Sequence, residues 1–319
     1  MKIRNNQEKA NIDIKKLLSF YRKKRNFKAE IYLKNKVKTL KKYFKKNKIT
    51  AAVVGVSGGI DSAIVLGILK ELQKNIKIKI YPFLLPAQQI DGVTNQVKAT
   101  EKGERLCKSY NLKFYKINLQ PYLKQIYQDL ENEMQIKSDS WARGQLVSYL
   151  RTPLLYYATS LLSCQKDRAC VIGTTNLDEG AYLGYFGKAS DGMVDLQIIS
   201  DLHKSEVKKL AKYLQVSSSI IKAPPNGDLF DGKTDEEVFG TSYDYVELYY
   251  FAKNHKKEFI QQLKHYQINK KIIDKHFDKI VKMHKYNQHK YLAYSPAIHF
   301  DINSTKHKNG WKYANYPSK

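Results

Sequence analysis

The chain has 319 residues and a formal charge of +26, a length that accommodates one large domain, or one domain with an appendage. It contains no apolar run long enough to span a bilayer, and its N-terminus, Met1-Lys2-Ile3-Arg4-Asn5-Asn6, lacks the apolar centre of a signal peptide. Cys107, Cys164 and Cys170 have neither metal-ligand nor CxxC spacing, which predicts a reduced, cytoplasmic protein without a disulfide framework.

Residues 1–30 read as a basic extension, an arm with a short helix over 12–25 that gathers Ile14, Leu17, Leu18 and Tyr21 on one side. Ile31, Leu33, Val37, Leu40 and Phe44 then form a helical stripe. The apolar run 51–56 is a buried strand. It passes through a Ser-Gly-Gly turn into a helix over 60–73. Further strands are expected at 76–86, 113–119, 169–176 and 196–200, and helices at 97–110, 121–133, 141–163 and 203–214. This alternation predicts a doubly wound parallel α/β sheet. The glycine-rich stretch 183–195 reads as a functional loop, and 224–228, with its Pro-Pro pair, as irregular chain. Thr234 is expected to cap a helix with acidic residues in its first turn, followed by a helix over 244–251 and two lysine-rich helices at 253–265 and 269–285.

The strand–turn–helix at 51–73 is an anion site by construction. Free backbone N–H groups and the positive end of the helix dipole point into the turn, and Gly58 and Gly59 allow close approach of a phosphate. Ser57 and Ser62 add hydroxyls, and Asp61 is placed to hold Mg²⁺ against the same phosphates. No Gly-Lys-Ser/Thr follows, so this is not a Walker A loop. In an open α/β sheet, chemistry sits at the carboxyl ends of strands, so 57–62 and 174–179 are expected to converge. The lysines are spread along the chain rather than interleaved with aromatics in one patch. The charge therefore fits compositional bias, or attraction of small anions, better than a nucleic-acid partner.

Ser-Gly-Gly-x-Asp-Ser after a strand resembles the signature of the N-type ATP pyrophosphatases, which cleave ATP between the α- and β-phosphates. The order of motifs then resembles the ammonia-dependent NAD synthetases: 55–62, Gly173-Thr174 with Glu179, a Lys/Asp loop at 188–195, Lys204, the Pro-rich turn 224–229, and His289-Lys290. The likeness runs from about residue 31 to 300. It implies an adenine nucleotide α-hydrolase-like, Rossmann-like domain over 31–302 and a tail over 303–319. It implies ATP- and Mg²⁺-dependent amidation of deamido-NAD through an acyl-adenylate, with ammonia as nitrogen donor and AMP and pyrophosphate released. A homodimer with the dinucleotide site at the subunit interface is implied too.

Carried over residue by residue, the resemblance assigns ATP to Gly55, Val56, Ser57, Gly58, Gly59, Ile60, Asp61, Ser62, Thr174, Lys204 and Asn226, and Mg²⁺ to Asp61 and Glu179. It gives deamido-NAD to Arg151, Lys188, Asp195, His289 and Lys290, and catalytic roles to Ser57, Lys204 and Asp191, the last as proton acceptor from ammonium. Each has a plainer counterpart. Asp191 and Asp195 also suit Asx turns, Glu179 a helix first turn, His289 a structural role, and Lys188 and Lys204 a solvated surface. Arg143 competes with Arg151 for the substrate contact. Leu84 stands where the family has an arginine, which leaves adenosine recognition to residues such as Gln88 or Gln89. No glutaminase domain precedes the glycine turn, so free ammonia is the expected donor. Amidation of nicotinic acid mononucleotide, a tRNA-modifying ATP pyrophosphatase and a non-enzymatic nucleotide-binding module are the rival readings.

Overall fold

The computed structural model describes residues 2–87, 95–224, 234–291, 298–300 and 311–313; Gln88, Gln89 and Asn226 lie outside them. The strand β1 (Ala51–Gly55) carries no polar side chain, as burial on both faces requires. It pairs in parallel with β2 (Lys79–Leu84), which pairs with β3 (Tyr115–Lys116), and on its other side with β4 (Ala169–Gly173). The sheet continues through β5 (Leu196–Gln197) to β6 (Ile298–Phe300), and ends, among the described residues, in the antiparallel β7 (Trp311–Tyr313). The expected parallel sheet is present, but its ladders are shorter than the apolar runs that announced them. The runs at 76–86 and 113–119 form regular strand only over 79–84 and 115–116. The last two strands, three residues each, are too short to leave a pattern in the sequence.

Helices cover both faces. The layer on one side comprises α2 (Ala29–Lys46), α3 (Ile60–Gln73), α4 (Asn95–Ser109) and α7 (Lys204–Tyr213), which pack with Ala52, Val54 and Ile172. On the other, α5 (Gln120–Met134) and α6 (Ser140–Ser163) cover Val53 and Val171 through Leu123, Leu155 and Ala158. The stripe expected on α2 is turned slightly: Ile31 is exposed, whereas Tyr32 and Lys36 are buried. Asp201 is the cause, accepting from the Tyr32 hydroxyl at 2.7 Å and from Lys36 Nζ at 3.0 Å.

A third apolar cluster joins the two ends of the chain. The helix α1 (Lys2–Arg25) is longer than the expected 12–25, and it is no free arm: Ile14, Leu17, Leu18 and Tyr21 are all buried. They pack with α10 (Tyr243–Asn254), α11 (Lys256–His265) and α12 (Lys270–Tyr286), and the Tyr21 ring stacks on Phe251 at 5.0 Å between centroids. Charged pairs fix the orientation of α1. Arg22 binds the buried Glu247 and reaches Asp244, and Arg25 makes two hydrogen bonds to Glu206 at 2.7 and 2.8 Å. Three short helices, α8 (Ser218–Ile221), α9 (Asp235–Phe239) and α13 (Gln288–Tyr291), complete the described chain. At α9 the expected cap is realised: Thr234 Oγ1 accepts from the Glu237 N–H.

The turn between β1 and α3 admits little change. Gly58 has φ +79°, and a Cβ there would lie 2.2 Å from the Ala99 carbonyl oxygen. Gly58→Ala is therefore expected to lower the free energy of unfolding by roughly 2 kcal/mol in a urea titration, combining backbone strain with a clash against main chain.

Burial works against ionisation of Glu206, but the Arg25 guanidinium outweighs it and holds the carboxyl below its ordinary 4.5. Because the folded pKa lies below the unfolded one, the stabilisation is present above pH 4.5 and fades as pH falls through the folded value. Arg25→Ala is expected to cost about 3 kcal/mol at neutral pH by leaving a buried carboxylate unpaired. The cost should shrink when unfolding is measured in acid, where Glu206 takes up a proton.

Candidate active site

Connections from β1 run toward β2 and β3, whereas β4 and β5 lie on its other side, so the chain reverses direction across the sheet between β1 and β4. A crevice opens at the carboxyl ends of such a pair. Here it is a cavity of about 310 Å³ lined by the turn 55–61, the ends of β2 and β4, one side of α6, the loop at 190–194, Lys204 and Asp235. The convergence of 57–62 with 174–179 expected from strand order is met.

At its floor the Lys204 ammonium, with 4% of its side chain exposed, lies 2.7 Å from Asp61 Oδ2 and 3.0 Å from Glu179 Oε1. Each carboxylate is held from a second direction. Asn176 Nδ2 donates to Asp61 Oδ1 at 3.0 Å, and the Tyr243 hydroxyl to Glu179 Oε1 at 2.7 Å. Tyr243 also reaches Asp235, which accepts from Tyr185 as well. Burial raises the Glu179 carboxyl to about 7, against the pull of Lys204 and with the help of the Asp61 and Asp235 charges. Asp235 is raised too, chiefly by burial. Burial alone would lower Lys204, but Asp61 and Glu179 more than reverse this and keep it protonated. The site thus holds a fixed cation between two anions, on a short π-helix (Glu179–Leu183) and two helix N-termini, α3 and α7.

The end of β4 is set by close packing. A Cβ on Gly173 would lie 2.4 Å from the Gln197 side-chain oxygen, and that amide holds Thr175 and the Asp191 carbonyl. In the phosphate turn Ser57 Oγ accepts from the Gly59 N–H, and the buried Ser62 Oγ donates to the Gly59 carbonyl. No side chain caps α3, whose N-cap is Gly59, so its dipole faces the cavity through bare backbone.

Of the residues expected from the sequence, Gly55, Val56, Ser57, Gly59, Ile60, Asp61, Thr174, Glu179, Lys204, Arg151 and Asp191 line the cavity. Gly58 and Ser62 support the turn from below. Arg151 projects from α6 and donates to the Leu85 carbonyl at 3.3 Å, whereas Arg143 turns to Glu131, Ser138 and the Tyr127 ring. Asp191 is exposed. Four expected dinucleotide contacts are not in the lining. The Asp195 carboxylate accepts from the Val171 N–H at 2.7 Å and from Tyr156 at 3.3 Å, which ties the loop to β4. Lys188 and His289 are exposed. Lys290 Nζ donates to the Gly184 carbonyl at 2.9 Å.

Asn176, Asp178, Asp235 and Tyr243 escaped the sequence reading. Asn176 and Asp178 lie within four positions of Gly173-Thr174, and that proximity was the signal available. Asp235 was visible only as a helix first-turn acid, and Tyr243 had no local mark.

Residues 32–293 match the NAD synthase family. The chain is 30% identical over 278 residues to the NH3-dependent NAD+ synthetase of Sulfurisphaera tokodaii, covering 87% of this chain and 91% of the relative. It is 33% identical over 199 residues to that of Thermoplasma volcanium, covering 61% and 74%. Among solved structures, NMN synthetase from Francisella tularensis superposes with TM-score 0.66 at 25% identity, over 83% of this chain and 96% of the other. The Campylobacter jejuni NH3-dependent NAD synthetase shares the fold with TM-score 0.60 at 22% identity, over 82% and 96%. With the pyrophosphatase turn and its facing carboxylates in one cavity, and this match over most of its length, the chain belongs to the NAD synthase family, ATP-using ligases that form a carbon–nitrogen bond.

Proposed function

We propose that this protein is a cytoplasmic, ammonia-dependent NAD synthetase that amidates deamido-NAD, releasing AMP and pyrophosphate. The observation that carries the reading is the buried Lys204 ammonium between Asp61 and Glu179, beside a glycine turn built for phosphate. The names of the curated relatives support ammonia as the nitrogen donor.

In this reading the backbone of 57–62 and the N-terminus of α3 take the ATP phosphates, with Ser57 and Thr174 adding hydroxyls. The nicotinate carboxylate attacks the α-phosphorus, the bond to the bridging oxygen breaks, and pyrophosphate departs. Lys204 meets the negative charge that grows in this step, inside a site where a fixed cation needs no reorganisation. Asp191 takes a proton from ammonium, the ammonia so formed adds to the acyl carbon, and AMP leaves with the electron pair of the C–O bond while the proton lost from the added nitrogen goes to solvent. The oxygen donors of Asp61 and Glu179 fit Mg²⁺, which takes one or two carboxylates and completes its shell with phosphate and water. Bound there, it would neutralise charge on the departing pyrophosphate.

Exposed apolar side chains on α5 and α6, among them Tyr122, Met134, Trp141, Tyr157 and Leu161, support association as a homodimer. In this reading Lys188 and His289, which are exposed, meet the outer half of the dinucleotide. None of the three cysteines lines the cavity, and burial pushes the Cys107 thiol up to about 12. Both facts favour a ligase over a tRNA-modifying enzyme that works through a thiolate. A second reading keeps the chemistry and shortens the substrate to nicotinic acid mononucleotide. The likeness to an NMN synthetase favours it, as does the position of four expected dinucleotide contacts outside the cavity lining.

AMP release from Mg²⁺-ATP and ammonium, with deamido-NAD and nicotinic acid mononucleotide run in parallel, decides between them. Turnover with deamido-NAD is expected; preference for the mononucleotide selects the second reading, and turnover with neither defeats both. Lys204→Ala is expected to lower kcat about 100-fold, the usual consequence of removing one fixed charge-stabilising donor. Unchanged turnover would remove Lys204 from the mechanism.

A further inference from the structure

The family match begins at residue 32, yet α1, which precedes it, touches the turn that carries Lys204 at two points. The Tyr21 hydroxyl lies 3.1 Å from His203 Nε2. Across the ring, His203 Nδ1 donates to Asp178 Oδ1 at 2.6 Å, and Asp178 Oδ2 accepts from the Lys204 backbone N–H at 2.7 Å. His203, Asp178 and Tyr21 are almost wholly buried, at 0%, 1% and 3% exposure. Arg25 makes the second contact. It binds Glu206 and the Asp201 carbonyl, and Glu206 accepts from the His203 N–H at 3.0 Å. Residues 178 and 204 thus share one hydrogen-bonded carboxylate, and the far end of its chain is held by a helix more than 180 residues away in sequence.

Asp178 immediately precedes Glu179, and His203 immediately precedes Lys204. The relay therefore grips Lys204 and one of its two carboxylate partners, Glu179, from behind, by the backbone of the first and the side chain preceding the second. A buried hydrogen-bonded chain of this kind sets direction as well as distance. We propose that Tyr21 is a positioning residue for Lys204, so that α1 is a working part of the active site and acts on it through His203 and Asp178. The proposal rests on the phosphate role of Lys204 given above.

Tyr21→Phe removes the hydroxyl and keeps the ring on Phe251. It is compared with Lys204→Ala and with the double variant, by kcat for AMP release and by calorimetric affinity for a non-hydrolysable ATP analogue, with the melting temperature as control. Tyr21→Phe is expected to lower kcat about tenfold, as displaced catalytic groups do, and to add nothing in the Lys204→Ala background. A purely structural hydroxyl would instead give the same loss in both backgrounds. An unchanged kcat and affinity in Tyr21→Phe overturns the proposal, and so does an additive loss.

If Lys204→Ala itself has no effect, the role of Lys204 fails. If Lys204→Ala is impaired and Tyr21→Phe is not, only the relay fails. Should the wild type turn over neither pyridine substrate, the ATP-analogue affinities carry the same four-way comparison. Should Tyr21→Phe fold poorly, Arg25→Lys, which keeps the charge and loses the two-point grip on Glu206, takes its place with the same expected coupling.

Discussion

A lysine ammonium closed between two carboxylates, almost out of reach of water, is the constraint from which the rest of this structure follows. Three charges of this kind are costly to bury, and none of them is stable alone. Lys204 keeps its proton because Asp61 and Glu179 are there, and Glu179 approaches an ionisable state only because Lys204 offsets its burial. The sheet brings them together: Asp61 stands just past the end of β1, Glu179 just past the end of β4, and Lys204 follows β5 at the head of α7. Tyr243, Asn176 and Asp178 then fix the three charges from outside.

The excess of one anion over the cation matters chemically. An ATP polyphosphate entering this crevice meets the bare N-terminus of α3 together with a lysine set between two carboxylates. Both kinds of charge are therefore in place before the substrate arrives, which lets a site stabilise a changing charge without reorganising.

Much of this was legible in the sequence. Apolar runs broken by turns located five strands, β1 to β5, and their alternation with helices required a parallel sheet whose strand ends converge. The order of motifs located Asp61, Glu179 and Lys204. What stayed hidden depends on distant partners. Lys36 looks like any other lysine of α2 until Asp201 is placed beside it. The hydrogen bond that Asp195 accepts from the Val171 N–H is likewise a matter of tertiary geometry with no local pattern. Residues 1–30 looked like an arm because composition shows their charge, while the burial of Leu17 and Leu18 depends on helices more than 200 positions later.

The grip of the C-terminal helices on the π-helix carries a consequence for how the protein is made. His284 Nδ1, Asn287 Nδ2 and Lys290 Nζ donate to the carbonyls of Tyr182, Leu183 and Gly184, three in succession, and so fix the segment that begins at Glu179. Tyr21 at the other end of the chain closes on His203. A chain emerging from the ribosome can form its β1–α3 turn early, from neighbouring residues. It cannot complete the charged centre until His284, Asn287 and Lys290 have emerged and folded back. Assembly of the charged centre thus waits on the C-terminal helices, and a product truncated before them would keep the phosphate turn without the contacts that fix the segment beginning at Glu179.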